Sequence, residues 1–186
     1  MGEKVYTLFA GVNGAGKSTF YYILGENFGH RVNFDEITLL RDLIEGEQSF
    51  NQETTLTGNT IISNIKRAKG RGFKIHLYYV GLESVDLSIK RVAQRVQNQN
   101  LHAIPEEDLR RRFNNSFDNL GLVLPLCDVI KVYDNSGNYP DGFMKLVMSA
   151  ENIEGRRNVG FYDGFGASQR LRQVLHDFIG GNYENY

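Results

Sequence analysis

The chain has 186 residues, which fits one domain with a single core. Hydrophobic residues make up 41% and charged residues 23%, an ordinary globular balance. The formal net charge of -1 provides no field to draw the chain onto nucleic acid or an anionic membrane.

Val5–Ala10 (VYTLFA) is a short apolar run that ends in glycine and reads as a buried strand. A helix is expected from about Lys17 through STFYYILGEN. His30–Phe34 reads as a second strand, Glu36–Glu45 as an amphipathic helix and Ser49–Thr54 as a third strand. The next helix covers Asn59–Gly70. Its end, AKGRGF, combines cations with glycines, which suits the helix dipole and a left-handed cap. Phe73–Val80 (FKIHLYYV) is the clearest strand pattern.

In Ser84–Gln97, Val85, Ile89, Val92 and Val96 form one stripe at helical spacing. In IPEEDLRRRFNNSF, Pro105 is expected at the first helical position, with three acids in the first turn. Leu109, Phe113 and Phe117 repeat every four residues on its buried side. Cys127 lies in an apolar run and reads as a small buried hydrophobe rather than a nucleophile. Val129–Tyr133 is a strand leading into a DNSG turn, and Phe143–Ser149 a further strand. Glu151–Ala167 reads as a long surface loop or weak hairpin, and Gln169–Ile179 as a closing helix.

Alternating strands and helices predict an α/β, three-layer fold, its mostly parallel sheet flanked by helices in one domain over 1–186. A lone cysteine excludes an internal disulfide. No apolar run reaches the ~18 residues of a membrane span, and MGEKVYTLF lacks a signal-peptide layout. A cytoplasmic protein is expected, with neither nucleic acid nor membrane as partner.

Residues 11–18, GVNGAGKS, match G-x-x-x-x-G-K-[ST] at every fixed position. Glycines let backbone N–H groups turn inward around an anion, and the following helix points its positive end there. Gly11, Asn13, Gly14, Ala15, Gly16, Lys17, Ser18 and Thr19 are therefore the candidate cradle for ATP. Lys17 would bridge the outer phosphates, and Ser18 would ligate Mg²⁺. No Asn-Lys-x-Asp base-reading motif and no LSGGQ signature accompany the cradle.

Several residues are candidates for the acceptor side. Asp35, in NFDEI, either takes a proton from an attacking hydroxyl or caps the helix starting at Glu36, and one carboxylate can do both. In QETT, a carboxylate beside hydroxyls suits a polyol acceptor, although Thr57 as a helix cap is an equally ordinary reading. Arg91 and Arg95 share one helix face, which serves either as a solvated surface or as a lid over the transferring phosphate. Among Arg110, Arg111 and Arg112, Arg111 points to solvent and Arg112 flanks the Leu109/Phe113 side. The four histidines show no metal-ligand spacing, and His76 reads as packing.

Taken in order, AGVNGAGKST, VNFDE, QETTLTG, AKGRGFKIHLYYVGL, RVAQRV, HAIPEEDLRRRF and VYDNSG resemble the zeta-toxin family of P-loop kinases over roughly residues 5 to 137. The resemblance implies ATP-dependent phosphorylation of a sugar hydroxyl of UDP-N-acetylglucosamine. It also implies Asp35 as general base, Glu53 and Thr55 as substrate-binding residues, Lys17 on phosphate and Arg91 as a lid arginine. A second family arginine falls on His102, a poorer phosphate clamp than guanidinium. An antitoxin partner is implied by the resemblance only. Two rival readings remain: a kinase of another hydroxylated small molecule, such as a nucleoside or antibiotic, and a nucleotide-dependent binding switch.

Overall fold

A computed structural model describes residues 2–25, 27–32, 36–99, 103–137, 144–153, 156–162 and 168–180 of the chain. Strand β1 (Val5–Gly11) is buried from Tyr6 onward, as its unbroken apolar run requires. It lies between β3 (Phe50–Thr54) and β4 (Lys74–Gly81), and both pair with it in parallel. β2 (His30–Val32) extends the sheet beyond β3, and β5 (Val129–Asp134) extends it beyond β4. β6 (Lys145–Ile153) and β7 (Arg156–Phe161) then add an antiparallel edge. The described strands form one seven-stranded sheet in the order β2-β3-β1-β4-β5-β6-β7. The expected α/β architecture is thus present.

The described helices are α1 (Lys17–Leu24), α2 (Ile37–Glu45), α3 (Asn59–Gly70), α4 (Val85–Gln99), α5 (Glu106–Val123) and α6 (Gln169–Phe178). Side chains alternate across a strand, so β1 and β4 serve both faces. On one face Phe9 stacks on Tyr78 at 5.3 Å and meets Phe20 and Tyr21 of α1 edge-on. On the other, Tyr79 packs on Phe117 of α5, its hydroxyl 2.9 Å from that of Ser116.

Local chemistry explains the element ends. α3 closes with Gly72 at φ 79°, while Gly72 N–H donates to Lys69 and Phe73 N–H to Ala68, the paired bonds of a left-handed glycine cap. Pro105 lies one residue outside the expected first helical position. Its ψ of 140° is extended and its carbonyl accepts from Leu109 N–H, which makes it the cap of α5. The expected strand at Phe143–Ser149 runs over Lys145–Ile153, and within Glu151–Ala167 the hairpin reading holds, residues 151–153 ending β6 and 156–161 forming β7, which pairs with it antiparallel. An edge strand has one neighbour, so a strongly apolar pattern is not required of it. Cys127 is buried as expected, and burial raises its thiol to about 12. His76 is half-buried within β4, and desolvation lowers its imidazole below the usual value.

Candidate active site

The loop between β1 and α1 leaves the sheet at Gly11, where φ is 146° and an added Cβ would lie 2.1 Å from Val80 O. Only glycine fits so close an approach of two strands. Gly14 and Gly16 follow at φ 70° and 87°, which turns the backbone into a concave path. Lys17 opens α1 and is 8% exposed, with Nζ donating to Val12 O at 3.1 Å. Burial lowers its ammonium to about 8; the Glu53 charge opposes that shift and the Arg95 charge adds to it. Ser18 and Thr19 occupy the exposed side of the same turn.

Pairing of β3 with β1 places Glu53 opposite Phe9. Its carboxylate accepts from Ser18 Oγ at 3.0 and 2.8 Å, one contact to each oxygen. Arg31 of β2 donates Nη2 to the same carboxylate at 3.1 Å. Ser18, Glu53 and Arg31 thus meet from three elements.

Beyond β3, Thr55 Oγ1 lies 3.0 Å from Thr57 Oγ1. Thr54 Oγ1 accepts from Leu56 N–H at 3.0 Å, and Leu56 holds φ 60° while fully buried. A branched side chain in that region is strained unless its surroundings over-determine it. Here the buried Asn119 of α5 donates to Leu56 O at 2.8 Å and pins the turn. Asn119 carried no signal in the sequence; an asparagine inside a long helix reads as surface.

α4 packs directly on the loop. Ser88 Oγ donates to Asn13 O at 2.7 Å, and a Cβ added to Gly14 would lie 3.2 Å from Arg91 Cβ. Arg91 Nη1 donates to Asn135 O at 2.7 Å, while Asn135 Nδ2 donates to Ala15 O at 2.9 Å. Asn135 therefore ties both α4 and the cradle to the end of β5. The DNSG stretch reads locally as a turn, and sequence spacing gives no hint that its asparagine crosses to residue 15. Arg95, one turn beyond Arg91, is exposed and close enough to act on the charge of Lys17.

The other candidates stand apart. Arg112 is half-buried on α5; Arg111 pairs with Asp108, and Arg110 bridges Asp86 and Glu106. Asp35 and His102 lie outside the described residues. No group of three His, Cys, Asp or Glu suited to a metal occurs among the described residues. The residues present fit a triphosphate with a divalent cation. The glycines keep the loop free of Cβ atoms, Lys17 supplies a buried cation, the Ser18 hydroxyl is braced by a carboxylate, and Asn13 Oδ1 is buried without a hydrogen-bond partner. No described helix is long and apolar enough to cross a membrane.

No known protein-family profile matches the chain. An uncharacterized protein of Haemophilus influenzae is 29% identical over 126 residues, which make up 56% of this chain and 89% of that protein. Among solved structures, AvrRxo1-ORF1:-ORF2 crystallised with ATP is similar at a TM-score of 0.57 and 16% identity, over 95% of this chain and 63% of that one. The same pair with sulphate ions gives 0.56 and 14% identity over the same shares. A structure from the PezAT chromosomal toxin–antitoxin system of Streptococcus pneumoniae gives 0.53 and 16%, over 96% of this chain and 86% of that one. At these identities the likeness is one of fold. The chain spans 63% of the length of the AvrRxo1 chain it matches, somewhat under two thirds.

Proposed function

We propose that the chain is an ATP-dependent kinase of a small hydroxylated molecule, with a sugar hydroxyl of UDP-N-acetylglucosamine as the leading acceptor. The observation that carries this reading is the start of α1, where a glycine-turned loop, a buried lysine and a carboxylate-braced serine converge. The AvrRxo1 pair crystallised with ATP on the same fold adds support for the nucleotide. The toxin–antitoxin system among the structural neighbours supports an antitoxin protein as partner.

In this scheme the loop amides from Gly14 to Ser18 and the Lys17 ammonium hold the β- and γ-phosphates. Ser18, oriented by Glu53, presents its hydroxyl oxygen to Mg²⁺. When bound, the ion neutralises phosphate charge. Thr55 and Glu53 orient the acceptor sugar, with His102 and Arg112 as further contacts to it. Asp35 follows β2 by three residues and takes the acceptor proton. The acceptor oxygen then bonds to the γ-phosphorus, the bond from that phosphorus to the β–γ bridging oxygen breaks, and ADP leaves. Arg91 and Arg95, on the helix that covers the loop, offset the charge on the transferring group.

The test is labelled ATP with a panel of nucleotide sugars, nucleosides and aminoglycosides. Label should pass to a nucleotide sugar, and Asp35→Ala should abolish transfer while leaving ATP binding intact. Label passing only to a nucleoside or aminoglycoside overturns the acceptor, full transfer in Asp35→Ala overturns the base, and phosphate release to water regardless of acceptor overturns the kinase.

A further inference from the structure

We infer that Arg31 is a positioning residue of the site, holding the Glu53 carboxylate against Ser18 so that the Ser18 hydroxyl keeps one orientation toward the cation of a bound Mg·ATP; this rests on the kinase reading above. Arg31 lies on β2, a three-residue edge strand, and its sequence neighbourhood gives it no role. Its guanidinium is fixed on three sides. Nη2 donates to Glu53 Oε2 at 3.1 Å and Nη1 to the Tyr22 hydroxyl at 3.2 Å. Its central carbon lies 4.4 Å from the Tyr21 ring centroid and 5.5 Å from that of Tyr22.

Both tyrosines belong to α1, the helix whose first residues are Lys17 and Ser18. The contacts therefore close a circuit: Ser18 to Glu53, Glu53 to Arg31, and Arg31 back to the second turn of α1. A carboxylate held by one hydroxyl alone can rotate about its side-chain torsions; a second, charge-assisted donor on Oε2 removes that freedom. Stacking on tyrosine fixes the planar guanidinium in turn, which an ammonium does less well. Neither the cradle motif nor the sequence resemblance assigns Arg31 any part. Residues that orient a metal-side ligand in this way commonly govern metal affinity without touching the metal.

The experiment measures binding of a fluorescent N-methylanthraniloyl ATP to the full chain, with Mg²⁺ and with EDTA, and takes the ratio of the two affinities. Arg31→Met should lower that ratio about tenfold while changing the EDTA affinity by less than about twofold. Glu53→Gln should lower it similarly, and the double variant should be no worse than Glu53→Gln alone, because Arg31 acts through Glu53. Tyr22→Phe removes one anchor of the guanidinium at a side chain 70% exposed, where folding is not at stake, and should lower the ratio about threefold. Circular dichroism verifies the fold of each variant. A wild-type ratio in Arg31→Met or in Tyr22→Phe overturns the inference, and so do additive losses in the double variant. A wild-type chain that binds the analogue equally with Mg²⁺ and EDTA overturns both this inference and the metal-side reading of Ser18; one that fails to bind it overturns the kinase reading itself.

Discussion

Lys17 offers a test in which only pH is changed. Its ammonium is buried at the head of α1, and desolvation lowers its pKa from 10.5 to about 8. A triphosphate requires the charged form. If only that form binds, affinity scales with the protonated fraction, which falls from about nine tenths near pH 7 to about one tenth near pH 9. Mg·ATP affinity should therefore drop roughly tenfold between those values, close to 1.4 kcal/mol. An ordinary lysine would show a flat profile over that range. Isothermal calorimetry at several pH values measures the drop, and Lys17→Arg, whose guanidinium stays charged, should abolish the slope. Stability should move oppositely. The folded pKa lies below the unfolded one, so the unfolded chain binds more protons between about 8 and 10.5, and stability rises with pH through that window. From near pH 7 to near pH 9.5 the gain is roughly 2 kcal/mol, read as a higher denaturant midpoint in wild type than in Lys17→Met. Unchanged ATP affinity up to about pH 9.5 would refute the claim that burial of this ammonium controls nucleotide binding.

Asn135→Ala removes the donor to Ala15 O and loosens the seat of Arg91; ATP affinity should fall about fivefold, with a stability loss near 1 kcal/mol, measured by calorimetry and by thermal melting. Equal affinity in that variant would mean that the cradle holds its shape without the brace. Asn119→Ala leaves the Leu56 carbonyl buried without its donor, at a cost of about 1–3 kcal/mol in a denaturant melt. The strained φ at Leu56 then has less to hold it, so proteolysis between residues 54 and 58 should speed up; cleavage at the wild-type rate would show that packing of the Leu56 side chain alone holds the turn.

The local parts of this protein are legible in the chain itself. The end of Asn59–Gly70 follows from its cations and the glycine after Arg71, because dipole complementarity and a left-handed cap are properties of neighbouring residues. The phosphate loop is equally local: eight consecutive residues carry both its glycines and its lysine. Strand order is less so, although alternating strands and helices already favour a parallel sheet. The contacts among distant residues were decided by tertiary structure. Glu53 reaches Ser18 because β3 pairs with β1 in a register that sets Glu53 against Phe9. Asn135 reaches Ala15 across 120 positions, and Arg31 meets Glu53 and two tyrosines from a strand of three residues. Periodicity reports which way a side chain faces; which other side chain it meets is set by the folding of the sheet, through burial summed over the whole core.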